Sequence, residues 1–416
     1  MTHTQSEDTM TSGWKTVKLE EIADYVREKV RISQLDESTY VSTENMLPNK
    51  GGIVPASTLP TGTLTQAFKC GDVLVSNIRP YFKKIWFATF DGGCSADVLV
   101  FRAKSGIDSS FLRYALSNDS FFAHSMASSK GTKMPRGDKQ SIMRYEVPDV
   151  PLDVQRRIAA VLKPLDDKIE LNARINARLE RVAQALFKRH FVRIEPYGGT
   201  MPPGWRVGTL GELLSVVESG SRPKGGAENS GIPSIGAENI ERFGVYDYSK
   251  DKFISESFFL SLKRGIVQSG DVLLYKDGAY TGKVSMALDS FPHERCAVNE
   301  HVFILRTKDK CFQFTLYFTL LRDEIRQRIA TLAAGKAAQP GLNQNELRSV
   351  PIVIPTQDEM LKFETFAAPL MHMIAHNARQ SRTLAHLRDV LLPRLMSGAV
   401  DVRQVRLNTM QEGGSR

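Results

Sequence analysis

Cysteine is scarce in this chain: four in 416 residues, at Cys70, Cys94, Cys296 and Cys311. No two lie close enough for the paired-ligand spacing of a structural zinc site, and so few cannot build a disulfide framework. A reduced compartment is implied. Long apolar runs are also missing, and no stretch approaches the ~20 residues of a membrane span. Residues 1–12 are polar and acidic, without the apolar centre of a secretory signal. The expected setting is cytoplasmic, with no membrane partner. What the chain does have is a basic balance, 55 Lys+Arg against 46 Asp+Glu, for a net charge of +9. Nucleic acid or an acidic surface is the partner such a balance favours.

Catalytic signatures are equally thin. No Gly-x-Gly-x-x-Gly follows a strand-like run, and neither His-Glu-x-x-His nor Gly-x-Ser-x-Gly occurs. The segment Gly278-Ala279-Tyr280-Thr281-Gly282-Lys283-Val284 is one residue short of a phosphate loop, and Val284 stands where a hydroxyl should hold magnesium. Asn77-Ile78-Arg79-Pro80-Tyr81-Phe82 lacks the consecutive prolines of an amino-methyltransferase motif. His372 and His376 share helical spacing, but on a long amphipathic segment where they read as flank residues.

The chain says the same thing twice. Gly13-Trp14-Lys15 returns as Gly204-Trp205-Arg206, and Gly71-Asp72-Val73-Leu74 as Gly270-Asp271-Val272-Leu273. Residues 94–104 are echoed by 296–308, and Asn172-Ala173-Arg174 by Asn377-Ala378-Arg379. The period is about 200 residues, too long for a solenoid and right for a whole domain plus its connection. Each copy opens on a short amphipathic helix, with Leu19, Ile22, Ala23 and Val26 in the first and Leu210, Leu213, Leu214 and Val217 in the second. Thr209 and Glu212 fit a capping box. Strand-like runs follow at Val73–Ser76, 84–90 and 98–102, and again at Val272–Tyr275, 283–288 and 301–306. A helix comes next, near 109–125 and 312–333, then a small basic segment, then a Val-Pro element at Val147-Pro148 and Val350-Pro351.

Each copy ends on a segment of another kind. Ile158, Leu162, Leu165, Ile169, Ile175, Leu179, Val182 and Leu186 keep the three-four spacing of a coiled-coil seam, with Asn172 in a seam position. Phe363, Phe366, Leu370, Met373, Leu384, Leu387 and Leu391 do the same, with Asn377 at the matching position. Two amphipathic helices lying on their own domains would also fit, but their length favours pairing with each other, with Asn172 and Asn377 fixing register. Pro369 is expected to interrupt the second helix. The expected class is α+β: two repeated mixed α/β domains separated by an antiparallel coiled coil of two long helices. The expected divisions are a tail at 1–12, a first domain at 13–151, a first long helix at 152–192, a linker at 193–203, a second domain at 204–355, a second long helix at 356–400 and a tail at 401–416.

Basic, amide and aromatic side chains gather in Gly/Pro-rich loops at equivalent places in the two copies. The first copy has Asn77, Arg79, Tyr81, Lys83 and Lys84, then Lys130, Thr132, Lys133 and Arg136, with Lys139 beyond. The second has Ser221, Arg222 and Lys224, then Lys276, Tyr280 and Lys283, then Lys336 and Gln339, with Asn229, Thr281 and Asn343 nearby. Lysine and arginine neutralise phosphates, while arginine and amides also read base edges. These residues are the candidate DNA contacts.

The whole pattern resembles the specificity subunit of type I restriction–modification systems. The Gly-Trp openings and Gly-Asp-Val-Leu runs resemble those of its target recognition domains. The junction from Val147-Pro148 through Pro151-Leu152-Asp153-Val154-Gln155 to Leu165-Asp166-Asp167-Lys168-Ile169 is similar to that family's domain-to-helix passage. The second copy keeps only part of it, in Pro355-Thr356-Gln357-Asp358-Glu359. The resemblance implies a non-catalytic subunit whose two domains each read one half of a bipartite site in double-stranded DNA. The helices would set the gap and dock two methyltransferase subunits, and translocase/endonuclease subunits could join. S-adenosylmethionine, ATP and magnesium would then bind the partners, leaving this chain without a cofactor or metal. The rival readings are a single-chain DNA methyltransferase or nuclease, which cofactor binding by the isolated chain would reveal, and a coiled-coil adaptor that does not touch DNA.

Overall fold

The computed structural model describes residues 14–192, 200–309, 312–334 and 341–405. They form two compact units. The first holds the described residues up to Asp167 together with those from Leu384 onward, and the second those between Lys168 and Thr383.

The two units repeat one sheet plan. In the first, an antiparallel sheet runs in the order Ala23–Tyr25, Val98–Ala103, Val73–Ser76, Ile85–Phe87. In the second the order is Leu214–Ser219, Val302–Thr307, Val272–Tyr275, Val284–Met286. A smaller sheet accompanies each, containing Gly92–Cys94 in one and Ala297–Val298 in the other. A two-stranded ribbon closes each, Thr16–Lys18 with Glu146–Pro148 and Arg206–Thr209 with Pro351–Ile354. The Val-Pro elements thus return the chain to the strand that follows the Gly-Trp opening.

The repeated Gly-Asp has a physical cause. Gly71 and Gly270 turn at φ 90° and 92°, in the left-handed region open to glycine. The next aspartate, Asp72 or Asp271, is 2% exposed and receives a two-pronged arginine, Arg102 or Arg306, from the neighbouring strand at 2.6–2.8 Å. Each also accepts a backbone N–H at 2.8 Å, from Lys69 or Gln268. The echo of residues 94–104 in 296–308 therefore carries the arginine that this buried aspartate needs.

Several elements differ from the periodicity. The opening helices are single turns, Leu19–Ile22 and Leu210–Leu213, after which the chain extends into Ala23–Tyr25 and Leu214–Ser219. Pairing with Val98–Ala103 and Val302–Thr307 outweighs helix propagation there. The expected capping box is present, with Glu212 Oε1 accepting the Thr209 N–H at 2.9 Å. The helix expected near 109–125 is two, Ser109–Ser117 and Asp119–Ala127, because Asn118 is extended and its side chain caps the second. Its counterpart is likewise Gln313–Leu320 and Asp323–Ala334.

The long helices are Leu152–Phe191 and Gln357–Met396. Pro369 does not interrupt the second, contrary to expectation. An interior proline costs about 3 kcal/mol, and the buried Ala367, Met371, Ile374 and Ala375 on either side supply packing that offsets it. Each helix serves both units. In the first unit Val154, Ile158 and Leu162 share a core with Leu392 and Leu395. In the second, Phe187 packs on Phe363 and Asn176 donates to the Ile374 carbonyl, so the two segments are antiparallel there. Asn172, wholly buried, donates to the Asn377 carbonyl and Gln380 Oε1, while Asn377 donates to Asn176 Oδ1 at 2.9 Å.

Within the second unit the helix also caps its neighbour. Glu364, 7% exposed, accepts the Thr315 and Phe314 N–H groups at the start of Gln313–Leu320. Phe312 at that helix's N-cap offers no side-chain hydrogen bond, so the carboxylate fills the vacant capping role. Burial pushes the Glu364 carboxyl up to about 7. A carboxyl raised in the fold adds stability below its unfolded value and loses that contribution as pH climbs through its folded value. Denaturant melts of the native chain should therefore lose about 2 kcal/mol more between about pH 5 and about pH 8 than those of Glu364→Gln. Identical pH dependence in the two proteins would contradict this.

Candidate nucleic-acid interface

In the first unit the fold joins two loops that are far apart in sequence. Arg136 pairs its backbone with Lys130 on one side and Ile78 on the other. Arg79 N–H donates to the Pro135 carbonyl, Gly137 N–H to that of Asn77, and Asn77 N–H to that of Asp97. The groups at 77–84 and 130–136 thus form one surface. Arg79 and Lys83, both at φ 50°, frame the turn Pro80–Phe82. Strain of this kind in non-glycine residues persists only where the surroundings hold it. Here Asn49 and Lys50 donate backbone N–H groups to the Phe82 and Lys83 carbonyls.

The individual residues differ in what they can offer. Asn77 is buried and shapes the loop from within, while Tyr81 is 48% exposed. Lys83 and Lys50 both reach Asp119 at 2.9 Å. Burial opposes ionisation of Asp119, but hydrogen bonds from these two lysines hold its carboxyl below the usual range. Lys84 donates to the Thr43 carbonyl at 2.6 Å, and burial, then the Arg79 charge, depress its ammonium. Arg136 lies on Asp97 with Nε at 3.2 Å and Nη2 at 3.4 Å from its oxygens, and Lys130 stands 3.6 Å from Asp138. Thr132 and Lys133 are exposed. Beside this surface, Arg27, Lys29, Lys139 and Arg144 line a cavity of about 700 Å³, with Glu20 as the single acidic residue of the lining. None of these four cations has an ion pair among the described residues.

The second unit builds a matching frame. Lys276 N–H donates to the His301 carbonyl, Leu342 N–H to that of Lys276, and Asp277 pairs with Gly341. His301 contacts Asp277 at 2.9 Å and Glu300 at 3.3 Å, and Arg222 meets Glu300 at 3.0 Å. This chain of contacts unites the 221–224 and 276–283 groups. Lys276 pairs with Asp277, and Lys283 pairs with Glu241 while lying over the Tyr280 ring at 5.0 Å. Tyr280 is 66% exposed, in a 3-10 turn matching that of Tyr81. Ser221 is half-buried and Lys224 exposed. Lys336 and Gln339 lie outside the described residues.

The sequence reading missed the acids. Asp97, Asp119, Glu241 and Glu300 lie far along the chain from the cations they hold, and an isolated carboxylate carries no motif. Arg27, Lys29 and Arg144 were missed because they are spread along the chain and gathered only by the fold.

The specificity-domain model of type I restriction–modification systems matches residues 11–181 and again 202–363. Together these segments cover more than half of the chain. The chain belongs to the type I restriction–modification DNA specificity family. A curated relative, the MjaIX specificity subunit of Methanocaldococcus jannaschii, is 26% identical over 315 residues, covering 73% of this chain and 71% of its own. The HindI specificity subunit of Haemophilus influenzae is 22% identical across 94% of this chain and all of its own. The EcoDI specificity subunit of Escherichia coli is 31% identical over 195 residues, 43% of this chain and 42% of its own. The crystal structure of a type I S subunit from M. genitalium has a TM-score of 0.57 at 15% identity, covering 94% of this chain and 98% of that one. It shares the fold.

Proposed function

We propose that this chain is the DNA sequence-specificity subunit of a type I restriction–modification complex. Each copy of the recognition domain reads one half of a bipartite site in double-stranded DNA. The two long helices set the gap between the halves and dock two methyltransferase subunits, with Asn172 and Asn377 holding their register. The observation that carries this is the double match to the specificity domain, together with basic loop surfaces at equivalent places in both copies. The subunit is non-catalytic. S-adenosylmethionine, ATP and magnesium act on the partner subunits, which include a translocase/endonuclease when DNA is cut, and the complex works in the cytoplasm. Among the described residues no group of three or more His, Cys, Asp and Glu side chains could hold a metal, and no helix is long and apolar enough to cross a membrane.

Cations without acidic partners suit phosphates, whose contacts position the protein without reading sequence. Lys133, exposed and without an ion pair among the described residues, takes this role in the first copy. Lys133→Ala in the reconstituted complex should weaken binding to every duplex and lower the slope of log affinity against log salt by about 0.9. An unchanged affinity and slope would remove that loop from the DNA.

A further inference from the structure

We infer that Arg136 reads a guanine in the half-site of the first unit, with Asp97 as its positioning residue. This rests on the DNA-reading function proposed above and decides which of the candidate cations touches a base.

Three observations separate Arg136 from its neighbours. The first is restraint. Its backbone is paired on both sides, with Lys130 and Ile78, so its Cα has little freedom to follow a moving phosphate chain. The second is the engagement of its side chain. Asp97 takes the Nε and Nη2 protons of the guanidinium. Arginine carries five donors in a planar fork. With two engaged, the Nη1/Nη2 edge still presents two parallel N–H groups, the set that matches guanine O6 and N7 in the major groove. The carboxylate also cancels much of the positive charge. That makes the pair a poor phosphate ligand and leaves its directional hydrogen bonds intact. Arg27, Lys29, Lys139 and Arg144 differ in charge: no carboxylate among the described residues cancels theirs.

The third observation is the comparison of the two copies. The backbone frame is shared: Asn77 donates to the residue before Val98, and Lys276 to the residue before Val302. Ile78 pairs with Arg136 as Asp277 pairs with Gly341. The side chains on this frame are not shared. Asp97 is replaced by His301, and Arg136 by Gly341. A common scaffold carrying different side chains at one spot is what two domains that read different bases require. Phosphate contacts have no such reason to diverge.

The test is selection of bound sequences from a random duplex library by the full-length chain assembled with its methyltransferase subunits. The native complex is expected to select a split motif with a guanine in one half. Arg136→Ala should lower the preference at that one position by about 5- to 150-fold and leave the other positions as they were. Arg136→Lys keeps the charge but loses the fork, and should fail at the same position. Asp97→Asn should relax it too, while strengthening binding to random duplex and steepening its salt dependence, because the freed guanidinium then turns to phosphate. Asp97→Glu should restore most of the preference. An Asp97 that merely stabilises the loop would weaken all binding and would not steepen the salt slope. The assignment is overturned if Arg136→Ala weakens every sequence equally, or if a split motif survives both Arg136 variants intact. A native complex that selects no motif at all would overturn the DNA-reading function and the assignment with it.

Discussion

Replacing residues 13–150 with the matching segment of a related chain is expected to change one half of the recognised DNA site and leave the other as it was. The proposed contacts of the first half, from Asn77 to Arg136, lie inside the exchanged segment, and those of the second lie wholly outside it. Each mismatched base pair costs about 1–3 kcal/mol, roughly additively. A half-site of about three read pairs would then lose about a hundredfold to a millionfold in preference. The boundary matters for stability. Val154, Ile158 and Leu162 from the first long helix, and Leu392 and Leu395 from the second, are buried in the same core as Phe111, Leu112 and Phe121. A graft cut at 150 sets a foreign domain on this apolar platform. Carrying the five platform residues along should recover the stability without altering either half-site. A chimera in which both halves changed would mean that the two copies read DNA jointly.

The second large effect is one of stability in the first unit. Asp166→Ala should destabilise it by about 3–5 kcal/mol, the range for removing one partner of a buried ion pair. Asp166 is where three elements meet. Its Oδ2 accepts Arg113 Nη2 and the Tyr114 hydroxyl, and its Oδ1 accepts Arg388 Nη1, all at 2.9 Å. Arg388 and Asp166 have side-chain exposures of 17% and 11%, so little water would replace the lost carboxylate. Asp389 retains a contact with Arg388 and limits the loss. Denaturant unfolding of the full chain, followed by a probe in the first unit, measures the change. A shift below about 1 kcal/mol, the scale of an exposed ion pair, would show that solvent reaches the site.

Much of the fold is legible in the sequence where a local rule is obeyed. Gly71-Asp72 and Gly270-Asp271 announce their strands because a left-handed turn and a buried aspartate must be adjacent. The long helices declare themselves through a sustained three-four spacing. Legibility ends where distant residues decide. Val26 and Val217 continue a helical pattern, yet strand pairing claims the residues before them. Pro369 reads as a break, and the packing of Ala367 and Met371 overrides it. At the candidate site, composition and loop position pointed to the cations, since basic residues in Gly/Pro-rich loops are a local pattern. Their acidic partners were not legible, because Asp97 reaches Arg136 across 39 residues of chain. The difference between a phosphate ligand and a base reader lies in those partners.

The central claim is that one chain carries two readers of one split DNA site. It is tested most directly by mapping methylated bases in the source genome with and without the gene for this chain. The expected result is a single motif of two short specified halves at a fixed gap of unspecified bases, methylated only when the chain is present. A continuous motif that depended on the chain, or a methylation pattern unchanged by its loss, would contradict the claim.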